Sequence, residues 1–144
     1  MVGGRTAAKA CIFCAIVRGE LPAHVVLDDE VCLAFLDKTP LFHGHVLVVP
    51  RAHVATLAEL PEGDLAPFFA RVQAICRAVP DALGAEGTFV AMNNVVSQSV
   101  PHLHAHVVPR TKGDGLKGFF WPRTKYASDG EMAAVAGKIA AALR

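Results

Sequence analysis

The chain has 144 residues, of which 53% are hydrophobic and 19% are charged. This length supports a single domain with a sizeable core, and the low share of charged residues excludes a disordered chain. A net charge of +1 argues against a protein that binds nucleic acid through the phosphate backbone. The apolar excess is more than one small core needs, so we also expect a subunit interface.

The N-terminus contains no apolar centre of the kind that a signal peptide has, and no apolar run in the chain is long enough to span a membrane. We therefore expect a cytoplasmic protein with no membrane partner. Residues 1–10 predict a disordered lead. Residues 11–144 predict one domain, with a C-terminal extension from about residue 111 that is rich in glycine and proline.

The predicted elements follow one another in an order that is typical of an α+β domain. Short β-rich runs alternate with turn residues, and the longest amphipathic stretch lies between the third and fourth strands. In chain order we expect helical turns at 12–18, a hairpin of strands at 23–28 and 31–36, a strand at 45–49, a helical turn at 56–60, a helix at 64–79 that Pro80 ends, strands at 88–92 and 103–108, and a helix at 129–143. The prediction is a mostly antiparallel sheet of about five strands with one long helix and a C-terminal helix.

Two of the four cysteines differ from the other two in their setting. Cys32 lies in a β-rich run and Cys76 on a helical apolar face, so both are expected to be small buried hydrophobes. Cys11 and Cys14 form a C-x-x-C motif. No strand precedes it, so metal binding is a better functional interpretation than thioredoxin-like redox chemistry, and two unrelated cysteines are the alternative.

Three histidines alternate with apolar residues at positions 102, 104 and 106. On a strand, alternate side chains share a face, so the three imidazoles would form a row with neighbours about 6.6 Å apart. Leu103, Ala105 and Val107 would line the opposite face and pack on the helix. The bland alternative is a surface strand that happens to be rich in histidine.

Imidazole titrates near neutral pH and can serve as a ligand, a nucleophile or a proton donor. The ligands of one zinc ion converge to about 2.0–2.1 Å from the metal. Because His102 and His106 would be about 13 Å apart, they are not expected to share one ion. At most one or two of the three histidines can share a metal ion, which leaves at least one for another role.

The segment around this row resembles the signature of the histidine triad (HIT) superfamily, and further segments match that family in order and spacing. The resemblance covers about residues 11–110 and is closest to the bacterial HIT-like nucleotide hydrolases and transferases. The matching segments are Gln98-Ser99-Val100-Pro101-His102-Leu103-His104-Ala105-His106, Cys11-Ile12-Phe13-Cys14, Ala34-Phe35-Leu36-Asp37, Gly44-His45-Val46-Leu47-Val48-Val49-Pro50-Arg51 and His53.

The resemblance implies an enzyme that cleaves the bond at the α-phosphate of a purine nucleoside monophosphate conjugate. His104 would be the nucleophile and would form a nucleotidyl-histidine that water resolves. His106 would contact the phosphate or the leaving group as a hydrogen-bond donor. Ser99 and Gln98 match the phosphate and leaving-group contacts, and His45 matches the family's fourth histidine, with a buried hydrogen-bonding role as its alternative.

The resemblance also implies a nucleotide site. Asp37 matches the ribose-binding residue and Asn93 a phosphate contact, although Asn94 is an alternative for Asn93. Ser97 is also expected in the nucleotide site, beside the phosphate, at a position where the family often has glycine. The residues expected to wall the base pocket are Phe13, Ile16, Phe35 and Lys38, for which a place in the core is the alternative.

Some members of the family hold structural zinc, and the resemblance implies the ligand set Cys11, Cys14, His53 and His102. It also implies a twofold dimer with the long helix and a central strand at the interface. Trp121 resembles a tryptophan that reaches the partner's active site in some branches. Its alternative is packing on its own subunit.

The leaving group is not readable, so the predicted activity is phosphoramidase or dinucleoside polyphosphate hydrolase. A dinucleoside polyphosphate phosphorylase is the enzymatic alternative. The other classes that stay open are a nucleotide-binding regulatory module with incidental turnover and a zinc-stabilised interaction protein.

Overall fold

The computed structural model describes residues 10–117 and 122–144. The five strands in these ranges form one sheet in the order β1-β2-β3-β5-β4, and every neighbouring pair is antiparallel. This is the α+β sheet that the sequence predicts. The strands are β1 (Val25–Asp28), β2 (Cys32–Leu36), β3 (Val46–Pro50), β4 (Gly87–Ala91) and β5 (Ala105–Arg110).

Three α-helices and a short 3-10 turn lie in the described ranges, close to their predicted places. The predicted turns at 12–18 form a helix that ends one residue earlier, and the predicted turn at 56–60 is a single 3-10 turn. The helices are α1 (Ile12–Val17), α2 (Glu62–Leu83) and α3 (Asp129–Ala142), and the 3-10 turn is Leu57–Glu59.

The prediction that Pro80 ends the long helix is wrong, because α2 continues to Leu83. A proline removes only its own N–H and keeps a helical φ, so the helix can continue where packing and a C-terminal cap offset the lost hydrogen bond. Here the cap is Gly84, whose φ of +68° is left-handed and whose N–H donates to the carbonyl of Pro80.

The sheet is covered on both faces, so strands β2 and β3 are almost continuously buried. One face packs on α2 through a core that includes the expected alternate residues of the histidine segment. The other face packs on α1. The first core is formed by Cys32, Ala34, Val46, Val48, Leu60, Phe68, Val72, Ile75, Val79, Leu103, Ala105 and Val107, and the second by Cys11, Phe13, Cys14, Leu33, Phe35, Leu47 and Val49.

The last strand begins and ends two residues later than the sequence predicts. Leu103 lies before it and donates its N–H to the carbonyl of Val54 at 2.7 Å, a bond outside the sheet. β3 pairs only with residues Ala105 to Val107 of β5. β3 does not reach Pro109, so this residue has a neighbouring strand on one side only. The N–H that proline lacks is tolerated at such a position. As a result, His102 and His104 precede the strand and only His106 lies on it.

By its internal contacts the chain divides into two units, the first ending at Asp114 and the second beginning at Gly115. In the second unit, α3 is capped by Ser128, whose Oγ accepts from the N–H of Glu131 at 3.1 Å. No helix in the described ranges combines the length and the apolar character needed to cross a bilayer. The single domain with an extension from about residue 111 stays a prediction, and most of the predicted lead lies outside the described residues.

Candidate active site and metal centre

The side chain of His104 is buried and its ring is held by a backbone carbonyl. Its exposed fraction is 4%, and its Nδ1 lies 2.7 Å from the carbonyl oxygen of His102. A carbonyl only accepts hydrogen bonds, so Nδ1 must be the protonated nitrogen. In the neutral ring, Nε2 therefore carries a free lone pair, which is the state that a nucleophile requires.

His106 and His45 form a pair of neutral imidazoles beside His104. The ring centroids of His104 and His106 are 4.9 Å apart, and His106 Nδ1 lies 2.9 Å from His45 Nε2. Burial lowers the pKa of His106 to about 4, with the neighbouring rings of His104 and His45 acting in the same direction. Burial also lowers the pKa of His45. The charged form is disfavoured at both positions near neutral pH.

His102 belongs to a different cluster, so the prediction of three imidazoles in one row is wrong in part. Its Nε2 lies 2.8 Å from the carbonyl oxygen of Pro50 and must donate to it. Its Nδ1 lone pair therefore faces the two thiols, with Cys11 Sγ at 3.4 Å and Cys14 Sγ at 3.5 Å. Strand alternation does not apply to His102, because it lies before β5 begins.

The four predicted metal ligands meet at one place. Cys14 Sγ lies 3.1 Å from His53 Nδ1, and the ligand atoms of Cys11, Cys14, His53 and His102 all lie within 4.8 Å of one another. Tetrahedral zinc with ordinary bond lengths separates a sulfur from a nitrogen ligand by about 3.6 Å. Two thiols and two imidazoles at these separations fit a closed zinc site. Burial raises the pKa of Cys14 to about 11, so the thiolate form needs a nearby cation.

The first turn of α1 positions both thiols and one aromatic ring. Cys11 is the N-cap residue, and its Sγ accepts from the N–H of Cys14 at 3.4 Å. Between them, Phe13 packs edge-on against His104, with ring centroids 5.0 Å apart, and against Phe35 at 5.5 Å. The turn that carries the cysteines therefore also packs on the ring of His104.

The four residues expected to wall the base pocket differ in how far they are buried. Phe13 and Phe35 are buried in the core beside α1, whereas Ile16 is half-buried and Lys38 is exposed. An apolar pocket and a core use the same side-chain types, so the sequence could not separate these roles.

The loop at 93–101 is held by two side-chain amides. Gln98 Nε2 donates to the carbonyl of Ala55 at 2.6 Å, and Gln98 Oε1 accepts from the N–H of Val95 at 3.0 Å. Asn94 Oδ1 accepts from the N–H of Leu57 at 2.8 Å. Both amides thus hold the loop within the chain, and the choice between Asn93 and Asn94 for the phosphate contact stays a prediction.

The same loop contains the other predicted phosphate contacts. Asn93, Ser97 and Ser99 are exposed. Val95 and Ser97 have φ values of 72° and 59°, a left-handed conformation that is costly for a β-branched valine. The loop that leads to His102 therefore has a strained backbone conformation at Val95.

Asp37 lies beside the pair of imidazoles and is held by its own loop. Its Oδ1 accepts from Thr39 N at 2.9 Å and from Thr39 Oγ1 at 3.3 Å, and its Oδ2 lies 3.8 Å from His45 Nε2. Asp37, His45 and His106 form the second titratable cluster of the described chain. The carbonyls of Pro50 and Ala55 could not be found from the sequence, because a backbone group leaves no signal in the residue pattern. Thr39 matches no motif, so its contact with Asp37 could not be found either.

The chain is similar in sequence to proteins of one known family. The model of the HIT domain family matches residues 18–113. An uncharacterized HIT-like protein of Methanocaldococcus jannaschii is 45% identical over 73% of this chain and 82% of its own length. An adenylylsulfatase of Arabidopsis thaliana is 37% identical over 80% of this chain and 59% of its own length. An adenosine 5'-monophosphoramidase of Schizosaccharomyces pombe is 35% identical over 78% of this chain and 84% of its own length.

Solved structures agree with the sequence matches. A HIT family protein of Bacillus subtilis superposes with a TM-score of 0.85 at 33% identity, covering 94% of this chain and 98% of that one. A zinc-bound histidine triad family protein of Mycobacterium smegmatis superposes with a TM-score of 0.72 at 36% identity, covering 93% and 99%. The chain belongs to the HIT family, and the predicted HIT-like fold is confirmed.

Proposed function

We propose that this chain is a nucleotide hydrolase or transferase that cleaves the bond at the α-phosphate of a purine nucleoside monophosphate conjugate. The observation that carries the proposal is the hydrogen bond of His104 Nδ1 to the carbonyl of His102, which leaves Nε2 unprotonated. Membership of a family with relatives named adenylylsulfatase and adenosine 5'-monophosphoramidase supports an adenylyl substrate.

In the proposed reaction, the Nε2 lone pair of His104 attacks the α-phosphorus. A phosphorus–nitrogen bond forms, and the bond to the leaving group breaks with its electron pair on the leaving group. His106 donates a hydrogen bond to that group or to the phosphate, where negative charge develops. Water then attacks the nucleotidyl-histidine, releases the nucleoside monophosphate and restores His104. An amine leaving group takes its proton from solvent.

The proposed nucleotide site uses the exposed polar groups around the histidines. Asp37 would accept from the ribose hydroxyls, while Asn93, Ser97 and Ser99 would contact the phosphate. Gln98 Nε2 has a second N–H besides the one that it donates to Ala55, and this donor would contact the phosphate or the leaving group. The base would lie toward Ile16 and Lys38, above the buried rings of Phe13 and Phe35.

The test of this proposal is the variant His104→Asn, with His43→Asn as the matched control because His43 is exposed. Turnover is measured with adenosine phosphoramidate, adenylyl sulfate and diadenosine tetraphosphate. Loss of the nucleophile is expected to lower kcat at least about 1000-fold, as at other covalent catalytic residues. The control is expected to keep wild-type turnover.

A wild-type rate in the His104→Asn variant would refute covalent catalysis at this residue. Turnover of none of the three substrates by the wild-type chain would instead favour a nucleotide-binding module. Release of a nucleoside diphosphate when inorganic phosphate is added would identify a phosphorylase.

We also propose that Cys11, Cys14, His53 and His102 hold a structural zinc ion. The zinc-bound relative and the mutual approach of the four ligand atoms support it. Four nitrogen and sulfur ligands close the coordination shell, so such an ion supplies folding energy rather than an open position for substrate. The side chain of His102 would bind the ion while its carbonyl orients His104.

A further inference from the structure

We propose that the backbone amide of Leu41 is the positioning group that places the proton of His106 on Nε2, through the intervening ring of His45. The inference rests on the proposed function, in which His106 donates a hydrogen bond to the reacting group. It deepens that function, because it assigns the origin of the donor state to a loop outside the histidine segment.

The chain of contacts starts at an unambiguous donor. The N–H of Leu41 donates to His45 Nδ1 at 3.1 Å. An amide nitrogen cannot accept a hydrogen bond, so His45 Nδ1 must be the unprotonated nitrogen. The side chain of His45 is almost fully buried, and its burial disfavours the charged ring. A neutral imidazole carries one proton, which is therefore on Nε2 of His45.

The second contact transfers this choice to His106. His45 Nε2 lies 2.9 Å from His106 Nδ1, so His45 donates and His106 Nδ1 accepts. The remaining proton of the neutral His106 ring is then on Nε2. The nearest competing acceptor for His45 is Asp37 Oδ2 at 3.8 Å, which is too far for a hydrogen bond.

Without the amide of Leu41, the pair of rings would have a second accessible state, and only the carboxylate of Asp37, 3.8 Å from His45 Nε2, would act against it. In the reversed state, His106 donates from Nδ1 to His45 Nε2, and its own Nε2 presents a lone pair. A lone pair there would repel a phosphate oxygen instead of stabilising it. The reversed state needs a proton on His45 Nδ1, directly opposite the N–H of Leu41, so the amide excludes it.

The loop that carries Leu41 is shaped to present this amide. Asp37 N donates to the carbonyl of His45 at 2.9 Å, and His45 N donates to the carbonyl of Phe42 at 3.0 Å. Gly44 has a φ of +99°, which returns the chain toward β3. These backbone bonds close the loop on itself, so the amide of Leu41 is held opposite the His45 ring.

The decisive test removes the N–H and keeps the side chain. Leucic acid incorporated at position 41 replaces the amide by an ester, and Leu41→Pro is the encoded variant that also lacks the N–H. Leu41→Ala keeps the N–H and serves as the matched control. The readouts are the nitrogen-15 shifts of the histidine rings and the rates with two esters of AMP, the phenyl and the p-nitrophenyl ester.

We expect His106 to carry its proton on Nε2 in the wild type and in Leu41→Ala, and to show the reversed or a mixed state without the N–H. The phenyl ester releases phenolate, a poor leaving group. Its rate of hydrolysis should fall about tenfold or more, since one hydrogen bond to the negative charge that develops in the reaction is lost. The p-nitrophenyl ester releases p-nitrophenolate, a good leaving group, so its rate of hydrolysis should fall much less. Leu41→Ala should keep the wild-type ratio of the two rates.

Two results would overturn the inference. One is a proton on Nδ1 of His106 in the wild type, which is measured without any variant. The other is an equal loss for both esters with unchanged ring shifts, as a general distortion of the site would produce. If the wild type hydrolyses neither ester, the proposed function fails, and the ring shifts still decide the placement of the proton.

Discussion

At the scale of single residues, the three histidines of one short segment have three different environments. His102 faces two thiols, His104 is bonded to a carbonyl, and His106 is paired with a fourth ring. A backbone carbonyl meets Nε2 of His102 and Nδ1 of His104, whereas the partner of His106 is the ring of His45. The residue type alone does not distinguish a metal ligand from a nucleophile. The hydrogen bond that the other ring nitrogen makes does distinguish them, because it decides which nitrogen carries the proton.

Acid should destabilise the protein through His106. Its pKa in the folded chain is about 4, below the ordinary value of 6.5, so the unfolded chain binds more protons between these values. The contribution to stability is present above about pH 6.5 and is lost as the pH falls toward 4. At pH 5, the His106→Gln variant should remove about 2 kcal/mol of this loss. Urea unfolding at neutral pH and near pH 5 measures it.

The exposed His24 provides the matched control for this measurement. A His24→Gln variant should lose as much stability on acidification as the wild type. Metal release at low pH affects all three proteins alike, so the comparison isolates His106. The same acid loss in His106→Gln as in the wild type would contradict the assignment.

At the scale of elements, the site is assembled where segments distant in sequence meet. The turn of α1, the segment after β3, the loop at 93–101 and the start of β5 each contribute groups. The proposed metal ligands Cys11, Cys14, His53 and His102 bring together the turn of α1, the segment after β3 and the segment before β5. Order at the nucleophile should therefore depend on order at the N-terminal turn.

If zinc is bound at these four residues, its removal should increase the mobility of both the N-terminal turn and the segment before β5. The purified chain is expected to hold about one zinc ion, and a chelator should lower Tm by more than about 5 °C. Amide hydrogen exchange should rise in residues 11–18 and 100–104 together. Metal analysis of Cys14→Ser against Cys76→Ser, which lies outside the cluster, gives the control. Equal zinc in the two variants would exclude the proposed ligand set.

The loop before β3 should tolerate no side chain at Gly44. Its φ of +99° is costly for other residues, and a Cβ there would meet Leu83 of α2. Leu83 is 54% exposed and can move away, so the backbone conformation carries the cost. Gly44→Ala should lower the free energy of unfolding by about 1–2 kcal/mol, and a Leu83→Ala background should not restore it.

Gly63 is the matched control for this substitution, because it lies in α2 with open space around it and no positive φ. Gly63→Ala should stabilise the protein by about 0.5–1 kcal/mol, through the higher helix propensity of alanine. Denaturant unfolding of both variants makes the comparison. Rescue of Gly44→Ala by Leu83→Ala would show that the clash, and not the backbone, sets the cost.

At the scale of the whole molecule, the apolar excess of the sequence is only partly used by the two cores. The sheet has two edges, β1 and β4. The β1 edge is broken by a register shift between Val25 and Leu27, an irregularity that discourages further strand pairing. The β4 edge pairs regularly with β5 and has an exposed Val90, and Phe69 of α2 is also exposed.

We therefore predict a homodimer formed through the β4 edge and α2. Light scattering should give about twice the chain mass of 15.2 kDa. Val90→Lys should yield monomers, because a charge on an exposed edge opposes pairing. Val26→Lys, on the opposite edge and of similar exposure, should leave the dimer intact. A monomeric wild type, or dissociation by both substitutions alike, would refute this interface. Trp121 lies outside the described residues, and its contact with a partner stays a prediction.

Much of the fold follows from local patterns that need no knowledge of distant contacts. The period-two runs predict the strands, the helical spacing predicts α2, and the alternation of Leu103, Ala105 and Val107 predicts which side meets the core. The C-x-x-C pair and the alternating imidazoles also indicate the chemistry, once their order and spacing along the chain are compared with those of the HIT family. Element boundaries near Pro80 and Pro109 were wrong, because the cap at Gly84 and the pairing limit of β3 depend on neighbours.

The sequence pattern by itself determined the α+β class, and the resemblance of its motifs to the HIT family implied the candidate metal ligands and the candidate nucleophile. Only the tertiary structure decided which ring nitrogen of each histidine is free, that Phe13 and Phe35 are core residues, and that Gln98 holds a loop. The physical reason is that a proton's place on an imidazole is set by the donor or acceptor opposite it. At these sites that partner is a backbone group, such as the carbonyl of His102 or the amide of Leu41, and every residue carries the same backbone.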